Sequence, residues 1–245
     1  MQAHTHQGRI VRLGKDPARY NPQTPKLTKY LPAVLPDTSA ARDLTVGLDW
    51  DDDILGNGDY GDCTCAALGH KVKLLQAALG LPVTVTTEGV LAAYTGVTGF
   101  NPDDPNTDRG ANMLDVLEYA RKVGICGVRV KAYMSFDPRD RKLMRAVVDL
   151  FGGPYLGLAL PETAQGQDVW DVVPGAVAGT WGGHAVSGVS TSPGLDCINT
   201  WGSKKPLTPA FVAKFCDEAY AVLFEGLTPP AGLDMSTLLA DLKLL

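Results

Sequence analysis

No stretch of this 245-residue chain is apolar for the roughly 20 residues that a membrane-spanning helix requires. Nor is there an excess of positive charge: 22 basic residues face 27 acidic ones, and the basic ones are scattered. The electrostatic footprint of a nucleic-acid binder is therefore missing, and neither nucleic acid nor membrane is expected as a partner. The opening MQAHTHQGRIVRLGK contains no apolar core of the kind a secretory signal uses, so a cytoplasmic protein is expected. Cysteine is sparse and odd in number, at positions 63, 65, 126, 197 and 216. Without an export signal these are expected as reduced thiols. Cys63 and Cys65 form C-x-C with no second pair and no close histidine, so no metal site is expected, and no cofactor. Histidine is scarcer still, with four in the chain. What remains is ordinary: 45% hydrophobic and 20% charged residues, enough for one large domain or two small lobes.

The chain divides by texture. Residues 1–45 are rich in Pro, Lys and Arg with little periodicity, and read as an extended arm. A surface strap is the favoured reading, with a pro-segment or a partner-binding arm as the sharper alternative. Residues 46–226 form the main domain. In it, Cys63–Leu79 repeats apolar residues at helical spacing behind Asp62, a residue suited to capping. Further helices are expected over Thr87–Tyr94, Met113–Val123 and Asp137–Leu150, the last with Pro138 in its first turn. Val128–Tyr133 reads as a strand. Short strands then dominate: Tyr155–Leu160, His184–Ser190, Leu195–Asn199 and Tyr220–Phe224. Helices first and strands later argue for an α+β protein with two lobes. Residues 227–245 form a tail in which MSTLLADLKLL can make a short amphipathic helix, docked on the domain or offered to a partner.

Cys63 opens a helix, where unpaired N–H groups and the helix dipole favour a thiolate. The charge of Asp62 works against this, so an imidazole partner is needed. A small buried hydrophobe at a helix start looks the same in isolation. His4 and His6 lie in the arm, and His70 lies about 10 Å further along the Cys63 helix. That leaves His184, in GGHAVSGVS, where Gly183 permits close approach of another backbone or a ligand. A core histidine bonded to a carbonyl would look similar. Fifteen residues later, CINTWG places Asn199 where an amide can fix an imidazole tautomer, and Trp201 where an indole can cover the contact. A polar turn residue beside a core tryptophan is the plainer reading of that motif.

Taken in order, Cys at a helix start, His-Ala-Val opening a strand and Asn-x-Trp-Gly closing the next resemble the papain family of cysteine peptidases. The resemblance covers about residues 48–225 and rests on three short motifs. It implies a papain-like two-lobed fold, with an N-terminal helical lobe and a C-terminal antiparallel β lobe. It also implies a catalytic set of Cys63 as nucleophile, His184 as base, Asn199 as the residue orienting the base and Asn57 as an oxyanion donor. The family carries glutamine six residues before the nucleophile, and Asn57 stands there. The same offset from Cys65 falls on Asp59, which offers no donor when ionised, so Cys63 is chosen. Gly110, in DRGAN, takes the place of the glycine whose backbone pairs with substrate, and Gly183 and Trp201 complete the expected substrate-binding residues.

The departures are Asn57, one methylene shorter than glutamine, Thr64 in place of an aromatic residue, and SKKPLTPAFVAKFCDE after Gly202. That segment reads as an inserted helix capped by Thr208 with Pro209 first. GNGDYGDCTCAA also resembles stand-alone papain-fold proteins of bacteria and phages. The expected activity is hydrolysis of peptide or isopeptide bonds in a peptide or protein substrate. The alternative is a non-catalytic structural or binding protein, such as a phage virion component, with a protein partner docking through the arm or the tail. Transfer of an acyl group to an amine fits less well, because the third member is Asn rather than Asp.

Overall fold

The computed structural model describes residues 3–6, 8–32, 34–35, 40–48 and 53–245. The chain begins with a hairpin of β1 (Ala3–His6) and β2 (Arg9–Arg12). A 3-10 turn follows at Leu27–Lys29, and β3 (Arg42–Asp43) precedes α1 (Cys63–Ala78). Nearly every face of α1 is buried, as a helix wedged between two layers must be. Asp62 occupies the capping position, yet its carboxylate makes no bond to the helix N–H groups, contrary to the sequence-based expectation. It is instead turned into the protein, with no exposure.

The expected helix after Thr86 runs further than its apolar pattern suggested. α2 (Thr87–Thr98) is capped by the Thr86 hydroxyl, which accepts from Gly89 N–H at 3.1 Å, and is ended by left-handed Gly99. In α3 (Met113–Lys122) the Asn112 side chain accepts from Leu114 N–H, and Met113, Leu114, Val116, Leu117 and Ala120 form the buried stripe. β4 (Val130–Ser135) follows. α4 (Arg141–Phe151) starts four residues later than expected, because Asp140, not Pro138, begins the helix: its carboxylate accepts from Lys142 and Leu143 N–H.

The remaining strands are β5 (Tyr155–Leu160), β6 (Gly182–Thr191), β7 (Asp196–Thr200) and β8 (Ser203–Leu207). α5 (Pro209–Phe215) has Thr208 as cap and Pro209 in its first turn, and passes directly into β9 (Cys216–Phe224). The strands form one antiparallel sheet in the order β4-β9-β5-β6-β7-β8, with β3 added to the end of β6. The protein is therefore α+β, with helices gathered at the front of the chain and a sheet behind.

α6 (Met235–Asp241) buries Leu238, and Leu242 follows it into the interior. Burying two leucines contributes about 3–6 kcal/mol, which offsets part of the entropy of ordering the helix. Its Asp241 carboxylate takes a hydrogen bond from Tyr30 at 2.5 Å and an ion pair from Lys29 at 2.6 Å. No helix among the described residues is long and apolar enough to cross a membrane.

Candidate active site

α1 and β6 meet in the interior, and Cys63 at the start of α1 lies against the β6 backbone that follows His184. The backbone N–H of Ala185, the residue after His184, donates to the Cys63 sulfur at 3.5 Å. The His184 ring lies stacked on Trp201, with centroids 4.4 Å apart and planes 21° apart. Trp201 and Gly202 are the two central residues of the β7–β8 hairpin turn, and both have positive φ, 49° and 73°. For a tryptophan that conformation is strained. It is held by the stack on His184 and by the indole N–H, which donates to the Arg12 carbonyl at 3.3 Å.

Asn199 is placed differently from the expectation. The Nε2 of His184 lies 2.6 Å from the Thr200 hydroxyl. Asn199 pairs in register with Ser187, three residues from His184, so its side chain belongs to the opposite face of the sheet. Neither Asn199 side-chain polar atom has a hydrogen-bond partner among the described residues, and the residue is 1% exposed. The hydrogen bond to the imidazole thus comes from the residue after the one singled out.

Asn57 is also turned inward. Left-handed Leu55 and Gly56 bend the chain ahead of it, and its amide donates to the Tyr60 carbonyl at 3.0 Å. A second network, invisible in the sequence motifs, fixes the loops beside Cys63. Asp108 accepts from Gly61 N–H at 3.0 Å and from the Tyr94 hydroxyl at 2.9 Å, and Tyr94 oxygen accepts from Gly110 N–H at 2.8 Å. Gly110 is thereby locked at φ 84°.

The groove between these loops and β6 is filled by the chain's own residues 12–16. Arg12 N–H donates to the Asn57 carbonyl at 3.0 Å, and Lys15 N–H to the Gly183 carbonyl at 3.1 Å. Ala111 N–H donates to the Gly14 carbonyl at 2.8 Å, and Asp16 N–H to the Ala111 carbonyl at 3.0 Å. Gly14 passes over Cys63 and its N–H points to the sulfur. The approach is so close that a Cβ at Gly14 would overlap the Gly61 carbonyl, one at Gly110 the Gly14 carbonyl, and one at Gly183 the Lys15 carbonyl. Gly14 and Lys15 gave no sequence signal beyond a lone glycine in a polar arm.

Electrostatics agree with a covered site. Burial pushes the Cys63 thiol up to about 12, although the N–H groups of Ala185 and Gly14 pull the other way. Burial likewise raises Asp62 well above the usual carboxylate range, with the Asn57 amide offsetting part of the effect. No group of three or more His, Cys, Asp or Glu side chains is gathered for a metal among the described residues.

No protein-family model matches the sequence, and no curated protein matches it either. Solved structures do match. Xylellain, a cysteine protease from Xylella fastidiosa, aligns over 87% of this chain and 96% of its own, at a TM-score of 0.64 and 15% identity. The procathepsin B S9 of Trypanosoma congolense aligns over 87% of both chains, at a TM-score of 0.56 and 11% identity. A digestive procathepsin L2 proteinase from Tenebrio molitor larval midgut aligns over 75% of this chain and 67% of its own, at a TM-score of 0.51 and 13% identity. The fold of this chain is that of the papain-like cysteine peptidases.

Proposed function

We propose that, on this papain-like fold, the chain is a thiol hydrolase of peptide or isopeptide bonds, with Cys63 as nucleophile and His184 as general base. The observation that carries the reading is the meeting of the α1 N-terminus and the β6 start, which sets the Cys63 sulfur against the backbone next to a histidine clamped under Trp201. In the reaction, the His184 imidazole takes the thiol proton and the thiolate attacks the carbonyl carbon. The resulting oxyanion is received by the Cys63 N–H, which has no partner within α1, and by the Asn57 amide once it turns away from the Tyr60 carbonyl. Collapse breaks the C–N bond, and the imidazolium gives its proton to the leaving amine. Water, deprotonated by His184, then cleaves the thioester and regenerates the thiol. Catalysis needs residues 12–16 to leave the groove, because Gly14 occupies the position of the attacked residue. The test is release of fluorophore from peptide amides by the full-length chain, lost in Cys63→Ala and in His184→Ala. Equal rates in all three proteins would refute the assignment.

The second reading is a structural or binding protein that keeps the fold without turnover. The filled groove and the high Cys63 pKa favour it. Self-assembly in size-exclusion chromatography that persists in Cys63→Ala, with no peptide hydrolysis under any condition that exposes the thiol, is its expected signature.

A further inference from the structure

Lys15 leaves the groove and enters a pocket of its own, where its side chain is 1% exposed. The ammonium lies 3.0 Å from Asp217 Oδ2, 3.1 Å from Glu218 Oε1 and 3.0 Å from the carbonyl of Asp16. Asp217 and the Asp16 carbonyl accept hydrogen bonds from the ammonium, and Glu218 faces it as an ion pair. A planar guanidinium, with five donors in a fixed fork, does not match that arrangement. The walls are shaped for an aliphatic stem. A Cβ on Gly157 would meet the Lys15 Cε, the Glu218 Cγ and the Met113 Sδ, so only glycine on β5 leaves the channel open. Glu218 is held in place by the Tyr220 hydroxyl, which donates to its Oε2 at 2.8 Å, and its side chain is 6% exposed. A carboxylate so buried is costly unless paired. Burial opposes the charge on Lys15, but Glu218 and Asp217 more than offset it and raise its pKa.

We propose that the pocket of Gly157, Met113, Asp217 and Glu218 recognises a lysine side chain of the polypeptide substrate, and that the chain's own Lys15 fills it in this closed state. The proposal rests on the thiol-hydrolase reading for the word substrate, and on the pocket alone for the word lysine. Two of the three oxygens around the ammonium belong to the pocket; the third is the backbone of whatever segment is bound. Because Gly14 lies over the sulfur and Lys15 is its neighbour, the selected lysine sits one residue from the residue that is attacked. A substrate must displace residues 12–16, so a lysine-bearing segment competes with the arm on its own terms.

The experiment has two arms on the full-length protein. Lys15→Ala removes the equivalent of n-propylammonium from the pocket. Adding n-propylammonium is expected to raise the melting temperature of that variant, while n-propanol does not. The shift is expected to vanish when Glu218→Gln is added, and to be absent in the wild-type chain. Equal shifts from the alcohol and the amine, or none from either, overturn the pocket assignment. In the second arm a peptide mixture is incubated with wild type and with Glu218→Gln, and the cuts are mapped by mass spectrometry. Lysine enriched at one fixed position beside the cut, with preference reduced about tenfold or more in Glu218→Gln, supports the proposal. Cleavage without positional preference overturns it, and this arm decides if Lys15→Ala does not fold. A propylammonium effect without any cleavage refutes the hydrolase reading, and with it the substrate assignment, while the lysine pocket stands as a clamp for the arm.

Discussion

The Nε2 of His184 lies 2.6 Å from the Thr200 hydroxyl, and the ring between them and the solvent is covered by Trp201. The imidazole's partner is thus a hydroxyl that can donate or accept, according to the tautomer. Thr200→Val keeps the shape and removes that partner. A neutral hydrogen bond contributes about 0.5–1.5 kcal/mol, so activity is expected to fall roughly three- to tenfold. The pH at which activity rises is expected to move as well, which a purely structural role would not cause. Asn199→Ala is expected to leave that pH profile in place. A profile that moves in Asn199→Ala and not in Thr200→Val would assign the role to the asparagine.

Gly14 is the point at which the arm cannot tolerate a side chain. A Cβ there would overlap the Gly61 carbonyl, so Gly14→Ala must lift residues 12–16 from the groove or shift the Gly61 loop. Overpacking of this kind costs about 1–3 kcal/mol, comparable to the few hydrogen bonds that hold the segment. The expected result is faster modification of Cys63 by iodoacetamide and faster proteolytic nicking in the arm, with the domain still folded. Unchanged Cys63 labelling would show that the loop, not the arm, gives way.

The five thiols are expected to react in an order set by burial. Cys126 and Cys197 are partly exposed and label first, whereas Cys63, Cys65 and Cys216 are buried. The Cys63 pKa is raised to about 12 from an ordinary 9.0, so the native state keeps its proton where the unfolded chain loses it. The stability this contributes is fully present below pH 9.0 and is lost as pH rises from there toward about 12. Labelling of Cys63 at pH 8 is therefore expected to be slow, and to accelerate with pH or with displacement of the arm. Rapid labelling of Cys63 ahead of Cys126 at neutral pH would contradict the closed state.

Much of the architecture was legible because local chemistry and tertiary packing agree. Thr208-Pro209 begins α5 as its capping chemistry requires, and Tyr155–Leu160 is a strand at both ends. The start of α4 was misread because Asp137-Pro138 and Asp140 both offer start signals, and only the Asp140 side chain reaches the helix N–H groups. Cys63 and His184 stood out because each combines a reactive side chain with an unusual local backbone. Thr200 did not, because a hydroxyl beside an asparagine is unremarkable until the strand register decides which of them shares a face with His184. Lys15 and Glu218 lie 203 residues apart, and no local pattern can announce a pair that only folding creates. The groove's occupant was invisible for the same reason, since a polar arm reads alike whether it lies on the surface or in the cleft.

Asp108 joins the two loops that border Cys63, through Gly61 N–H on one side and Tyr94 on the other. Tyr94→Phe removes the hydroxyl that receives the Gly110 N–H and donates to Asp108, leaving a buried donor and part of a carboxylate without partners. Leaving such groups unsatisfied costs about 1–3 kcal/mol. The loss is expected in two measurements with different weights. Thermal stability should fall by a few degrees, because α2 and α3 are packed together around Tyr94 and lose one of their links. Hydrolysis of peptides should fall further than stability does, through KM more than kcat, because the Gly110–Ala111 strand that holds the backbone in the groove is loosened while Cys63 and His184 stay in place. Asp108→Asn keeps an acceptor for Gly61 and for Tyr94, so its KM is expected to stay near that of the wild type where Tyr94→Phe raises it. If instead Tyr94→Phe lowers kcat with KM unchanged, the network acts on the nucleophile rather than on the groove.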